Sequence, residues 1–172
     1  MNKTFSHLRV SSEFSITQGL LTIDQIVDQA KKYSIPSVAL TDNLNMFGLV
    51  KFFNKSESAG IKPISGASLR VIFDGDEMPH ELLCLAKTNK GHISLMKIIS
   101  QAHNNYNYSS PIITFNELCE IKDDLIVISG GKSSHLFELM NLGRVDEVED
   151  RVDKFLNFFK DDFVIEIQNT KR

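Results

Sequence analysis

Short apolar runs that predict β-strands alternate along this chain with amphipathic stretches that predict α-helices. The predicted strands and extended segments are residues 5–10, 37–40, 61–73, 81–87, 124–131 and 163–168, and the predicted helices are residues 22–33, 46–58, 91–105 and 144–160. Thr22 with Gln25, and Thr114 with Glu117, have capping-box spacing, which predicts that a helix begins after each threonine. This alternation predicts an α/β fold with a mostly parallel sheet or barrel.

Composition limits the classes of function that the chain can have. With 172 residues, 42% hydrophobic and 24% charged, one globular domain is expected. The net charge of −3 provides no basic field for a phosphate backbone, so weak or no direct binding of DNA is predicted.

Cys84 and Cys119 are widely spaced in apolar contexts, which favours buried free thiols. The absence of a disulfide framework, a signal peptide and a long apolar run predicts a cytoplasmic protein with no membrane contact.

The last predicted strand, residues 163–168, has no covering helix after it. A parallel strand buries both of its faces. We therefore expect the fold to be incomplete at its C-terminal end, as in a segment cut from a longer protein.

Four stretches together resemble a known family. They are HLRVSSEFS (7–15), ALTDNLNMFGLVKFF (39–53), AGIKPISGASLRV (59–71) and LIVISGG (125–131). They are similar to the PHP (polymerase and histidinol phosphatase) domain that begins the alpha subunit of bacterial DNA polymerase III. The resemblance implies that residues 1–172 form a PHP domain that is incomplete at the C-terminal end, with the polymerase domains absent. The implied fold is α/β, a distorted TIM-like (β/α)7-type barrel truncated before its last strands, with its site at the carboxyl ends of the strands.

The resemblance also implies that the family's metal site has lost most of its ligands in this chain. In active members, His, Asp, Glu and Cys side chains from the strand ends hold a metal cluster that activates water for phosphoester hydrolysis. Here the seven corresponding positions are occupied by Arg9, Ser11, Gln18, Asn43, Ser68, Glu81 and Gly131. Only Glu81 retains a ligand-type carboxylate, and Arg9 is permanently charged with no acceptor atom. A degenerate site is expected, with no catalytic residue, metal or cofactor in this segment.

Four further residues are possible pocket residues: His7, Asp42, His80 and Glu166. A hydrogen-bonded structural role is favoured for His7, and Asp42 is expected to accept backbone amides of the strand-to-helix turn. His80 would replace Glu81 at the site if the alignment slipped by one residue. Glu166 is a lone carboxylate and does not form a catalytic pair. The remaining histidines do not have the spacing of a metal-binding pair and are predicted to be isolated. They are His92, His103 and His135.

The resemblance implies that the whole protein extends DNA by magnesium-dependent nucleotidyl transfer in domains outside this segment. The segment itself would be a metal-free scaffold and a docking surface for the proofreading exonuclease subunit and other replicase subunits. One alternative is an active metal-dependent phosphoesterase or 3′–5′ exonuclease, and another is a free-standing interaction module. Ligand count favours the scaffold, because a metal needs several convergent donors with ordered partners.

Overall fold

A computed structural model describes residues 5–16, 18–104 and 110–168. The chain divides into two compact units, Met1–Ser68 and Leu69–Arg172. The α-helices are α1 (Ile23–Lys32), α2 (Leu49–Ser58), α3 (Asn89–Asn104), α4 (Phe115–Glu120), α5 (His135–Asn141) and α6 (Val145–Phe159). The strands are β1 (Ser37–Leu40), β2 (Lys62–Ile72), β3 (His80–Ala86), β4 (Ile113–Thr114), β5 (Leu125–Ile128) and β6 (Phe163–Val164). Among the described residues, no helix is both long enough and apolar enough to cross a bilayer.

In the first unit, α1 and α2 share a core with β1. The apolar face of α1 contributes Ile23 and Val27, and α2 contributes the fully buried Phe52. Strand β1 pairs in parallel with β2, with Ser37 opposite Lys62 and Leu40 opposite Ser65. Parallel pairing places the carboxyl end of β1 beside the middle of β2, where the candidate site of this unit begins.

Both predicted capping boxes are confirmed. The Thr22 hydroxyl accepts the Gln25 amide at 3.2 Å, and the Gln25 side chain accepts the Thr22 amide at 2.9 Å. Thr114 and Glu117 make the same reciprocal pair at the start of α4. Each box satisfies two amides that lack a partner within their own helix.

Replacement of Thr22 by Ala is expected to lower the free energy of unfolding by about 1 kcal/mol, because the cap hydroxyl is lost. Chemical denaturation followed by circular dichroism measures the change. The matched control is Thr22→Ser, which retains a hydroxyl and should remain close to the wild type. Equal stability of the Ala and Ser variants would contradict the assignment of this cap.

The second unit contains both parallel and antiparallel strand pairs. Strand β4 pairs in parallel with β2, and β6 pairs in parallel with β5, whereas β3 runs antiparallel to β5. The core of this unit includes a set of packed aromatic rings: Phe73, Phe115, Phe155, Phe159 and Phe163. The expectation of a mostly parallel sheet therefore needs correction to a mixed arrangement. Hydrophobic periodicity reports which residues are buried and carries no information about strand direction.

Several element boundaries differ from those predicted. Residues 5–10 form no continuous strand, and only His7 makes an isolated bridge, to Val38. Helix α2 begins at Leu49, three residues after the predicted start at residue 46, and residues 165–168 lie beyond the two-residue strand β6. Helix α3 begins two residues before its predicted start, and residue 105, its predicted end, lies outside the described residues. Helix α5 was not predicted, because seven residues are too few for a clear helical period.

Candidate functional site

In the first unit, Asp42 lies at the carboxyl end of β1 and is 1% exposed. Its carboxylate accepts the Ser12 amide at 2.7 Å, the Ser12 hydroxyl at 2.7 Å and the Ser15 hydroxyl at 2.6 Å. Ser15 in turn accepts the Asn43 amide at 3.0 Å. The donors to Asp42 come from residues 12–15 and not from the turn that follows Asp42. The carboxylate therefore anchors the N-terminal loop to the end of β1.

Other residues near Asp42 also serve this attachment. The Val10 amide donates to the Thr41 hydroxyl at 3.0 Å, and the Thr41 amide donates to the Val10 carbonyl at 2.9 Å. His7 is exposed, and its carbonyl accepts the Ala39 amide at 2.8 Å. The backbone of residues 7–10 thus follows β1 through individual hydrogen bonds without forming a regular strand.

The first-unit positions that the resemblance assigns to metal ligands lie around this loop. Asn43 and Ser68 form a parallel bridge, and the Ser68 amide donates to the Asp42 carbonyl at 3.0 Å. Arg9 and Ser11 are half-buried, and Gln18 is exposed. Within the described part of this unit, no three His, Cys, Asp or Glu side chains converge. Both Asp42 oxygens already accept hydrogen bonds, so the described residues of this unit offer no set of converging donors of the kind that a metal cluster needs.

In the second unit lie the other two positions that the resemblance assigns to metal ligands, Glu81 and Gly131. Glu81 lies near the start of β3, and a Cβ at Gly130 would lie 2.0 Å from the Glu81 carbonyl oxygen. A Cβ at Gly131 would lie 2.3 Å from Nε2 of Gln168, so the Gln168 amide fills the space of a side chain at 131. The same Nε2 donates to Oε1 of Glu166 at 2.8 Å. Glu166 is therefore placed near Gly131 and engaged by a neighbouring amide.

His80 lies in a different environment from Glu81. Consecutive strand residues point to opposite faces, and His80 packs with Asp76, which precedes β3, and with His135, at the start of α5. Nε2 of His80 lies 3.7 Å from Oδ2 of Asp76, and Nδ1 of His135 lies 3.3 Å from the same oxygen. The two imidazole rings stack with centroids 4.1 Å apart and an angle of 3° between their planes. We call Asp76, His80 and His135 the His–Asp cluster.

The His–Asp cluster is largely withdrawn from solvent. Its side chains are 11–14% exposed, and burial lowers the pKa of both His80 and His135. The positive charge of Arg151 lowers the pKa of His135 further. Both imidazoles are therefore neutral near neutral pH, which is the form that binds metal ions.

The prediction that His135 is isolated is wrong. His135 lies 55 positions after His80 in the sequence, and only the tertiary structure brings the start of α5 and the start of β3 together. Asp76 and His80 are four residues apart, but residues 74–79 form no helix, so their spacing had no predictive value. No pattern in the sequence marks these three residues as neighbours.

The cysteines do not contribute thiolate ligands. Burial raises the pKa of the Cys84 thiol to about 12, and burial also raises the pKa of the half-buried Cys119. Both thiols stay protonated near neutral pH, as inert cysteines do. The prediction of a buried free thiol is confirmed for Cys84, whereas Cys119 is partly exposed.

Comparison with known proteins identifies relatives over nearly the whole chain. The PHP domain family model matches residues 7–170. The chain is 37% identical to DNA polymerase III subunit alpha of Escherichia coli K12, 36% to that of Vibrio cholerae and 31% to that of Aquifex aeolicus, with 98% of this chain covered each time. It spans only 15–16% of the length of these relatives.

A solved amidohydrolase from Chromobacterium violaceum is also similar, with a TM-score of 0.47 and 19% identity over 58% of this chain and 33% of that chain. That likeness is too weak to support a conclusion about function. The family match over residues 7–170 and the identity to the polymerase subunits are sufficient without it. The chain therefore belongs to the PHP domain family and is homologous to DNA polymerase III alpha subunits.

Proposed function

We propose that this chain is the PHP domain of a replicative DNA polymerase III alpha subunit and that its own role is structural. In this proposal the complete protein synthesises DNA with Mg²⁺ in its polymerase domains. This segment supports those domains and binds the proofreading exonuclease subunit and other replicase subunits. The observation that carries the proposal is 29–37% identity to subunits of that name across almost the whole chain.

We further propose that the domain has the distorted TIM-like (β/α)7-type architecture of its family. Strands and helices alternate in both units, and β1–β2 and β5–β6 are parallel pairs. Parallel pairs joined through helices are the repeating element of such barrels. The antiparallel pair β3–β5 is the local distortion of that pattern.

The absence of metal-dependent hydrolysis is part of the proposal and rests on residue chemistry. Arg9, Asn43 and Gly131 replace donor residues of the active family, and the Gln168 amide fills the space next to Gly131. A hydrolytic metal cluster requires several oxygen, nitrogen or sulfur donors aimed at one point. The net charge of −3 further supports weak or no contact of this segment with DNA.

Exposed apolar side chains in the first unit support a docking role. Leu20 is 95% exposed, Ile16 82% and Phe47 75%. Burial of exposed apolar surface is the main favourable contribution to most protein association. They supply the kind of contact that a partner subunit buries.

Two measurements on the purified protein test this proposal together. The first is hydrolysis of bis-p-nitrophenyl phosphate and of single-stranded DNA with Zn²⁺, Mn²⁺ or Mg²⁺, where no rate above buffer is expected. The second is co-elution with the purified exonuclease subunit in size-exclusion chromatography, where a stable complex is expected. Both results are expected of a domain that lacks the metal-ligand side chains of active members but still binds its partner subunit.

The matched control in the hydrolysis assay is Glu81→Gln, which removes the carboxylate retained among the family positions. Metal-dependent hydrolysis that disappears in Glu81→Gln would identify an active PHP phosphoesterase or exonuclease and refute the scaffold role. Failure to co-elute with the exonuclease subunit would refute the docking role.

A further inference from the structure

The His–Asp cluster has the composition of a metal site that is separate from the family's site. Asp76 comes from the turn before β3, His80 from the first position of β3 and His135 from the first turn of α5. One ligand atom from each lies within 4.8 Å of the others. Two imidazole nitrogens and one carboxylate oxygen form a donor set that suits zinc and similar divalent transition metals.

The distances fit the edges of such a site. Zinc bonds of about 2.0–2.1 Å place tetrahedral ligand atoms about 3.3–3.4 Å apart. The two nitrogen-to-oxygen distances in the cluster, 3.3 Å and 3.7 Å, are close to that edge. Because the imidazole rings are stacked in parallel, at least one ring must turn for both lone pairs to meet at one ion.

Two buried atoms of the cluster have no hydrogen-bond partner. Oδ2 of Asp76 and Nδ1 of His135 are both inaccessible and unpaired, although they lie 3.3 Å apart. A buried polar atom without a partner is costly. A cation between this oxygen and this nitrogen would satisfy both atoms at once.

In His80 and Asp76, the polar atom that does not face the proposed ion already has a charged neighbour. Such neighbours are usual around bound metals. Nδ1 of His80 lies 3.5 Å from the Glu138 carboxylate, on the side of the ring away from Asp76. Oδ1 of Asp76 accepts from Nη2 of Arg151 at 3.1 Å, which leaves Oδ2 for the ion. Arg151 itself stacks over Phe73 at 4.3 Å, which fixes its position. A carboxylate behind a ligating histidine and a hydrogen bond to a ligating carboxylate are the common supports of metal ligands.

The local charge also suits a divalent cation. Asp76 and Glu138 carry two negative charges and Arg151 carries one positive charge, so these side chains sum to a net charge of −1. With a divalent ion bound, the sum would be a net charge of +1, so the two carboxylates offset most of the charge of the ion.

We propose that Asp76, His80 and His135 bind one divalent transition metal ion of the zinc class, with water in the fourth position. The ion ties the turn before β3 to the start of α5, so its role is to stabilise the second unit. The proposal does not depend on the function proposed above, because these ligands are distinct from the seven family positions.

The test is calorimetric titration of the chelator-treated protein with Zn²⁺. One ion per chain is expected to bind, and the midpoint of thermal unfolding should rise as Zn²⁺ is added. His135→Gln and Asp76→Asn should each weaken binding by about tenfold or more. The matched control is His7→Gln, an exposed histidine of the first unit, which should bind as the wild type does.

A second measurement needs no variant and therefore remains decisive if a variant fails to fold. In NMR spectra of the wild type, Zn²⁺ should shift the imidazole signals of His80 and His135 and leave the other three of the five histidines unchanged. No saturable binding, equal affinity in His135→Gln, or shifts confined to the other histidines would overturn the proposal.

Discussion

Replacement of Asp42 by Ala is expected to lower the free energy of unfolding by about 4 kcal/mol. The carboxylate accepts three short hydrogen bonds from Ser12 and Ser15 in a site that is 1% exposed. Hydrogen bonds to a charged group each contribute about 1.5–3 kcal/mol, and a buried donor left without a partner adds a desolvation cost. These contributions share donors and do not add fully, which is why the expected total is below their sum.

The control variants separate the carboxylate from its surroundings. Asp42→Asn retains one acceptor oxygen and should lose about half as much stability as Asp42→Ala. Ser11→Ala, one residue before the first donor, should change stability by less than about 0.5 kcal/mol. Chemical denaturation monitored by circular dichroism measures all three variants.

The result also distinguishes two roles for Asp42. If it anchors the N-terminal loop, Asp42→Ala loses stability in the absence of any metal ion. An Asp42→Ala variant within about 1 kcal/mol of the wild type without metal, and altered only when metal is added, would make it a ligand instead. The hydrogen bonds from Ser12 and Ser15 favour the anchoring role.

Replacement of Gly130 by Ala is expected to lower the free energy of unfolding by about 3 kcal/mol or more. Its φ of +88° lies in the left-handed region, which costs an alanine about 1–2 kcal/mol. In addition, the new Cβ would lie 2.0 Å from the Glu81 carbonyl oxygen, which belongs to the backbone of β3 and cannot rotate away. Either β3 or the turn after β5 must shift to relieve this clash.

Gly143 provides a matched control for the clash. Its φ is +70°, and a Cβ there would meet no atom within 4 Å. Gly143→Ala should therefore show only the backbone cost of about 1–2 kcal/mol. Denaturation curves of the two variants give the steric contribution as a difference. If Gly130→Ala were no less stable than Gly143→Ala, the close approach of Gly130 to Glu81 would be disproved.

The outcome at Gly130 bears on the family site as well. By the family resemblance, Gly131 is expected to stand at a thiol position of active members, and Glu81 is expected to be the retained carboxylate among the seven positions. The packing of Gly130 against Glu81, and of Gln168 against Gly131, closes this part of the second unit around small residues. Reintroducing a single ligand would therefore require rearrangement of the neighbouring backbone or of Gln168.

The sequence by itself determined the features that depend on near neighbours along the chain. The helix starts at Thr22 and Thr114 follow from contacts three residues apart, and the buried face of α1 follows from its apolar spacing. Family membership followed from quoted motifs in the same order as in the family, and the match over residues 7–170 confirms it. Such features can be predicted from the sequence because the interacting residues are close together along the chain, or because a motif consists of particular residue types in a fixed order.

Only the tertiary structure decided the features that depend on distant residues. The antiparallel direction of β3 against β5 and the donors that reach Asp42 from residues 12–15 leave no periodic signal in the chain. The His–Asp cluster is the clearest case, because Asp76 and His80 meet His135 only after α5 packs near β3. Side-chain contacts between segments depend on the burial of apolar surface elsewhere in the unit, so local sequence carries no record of them.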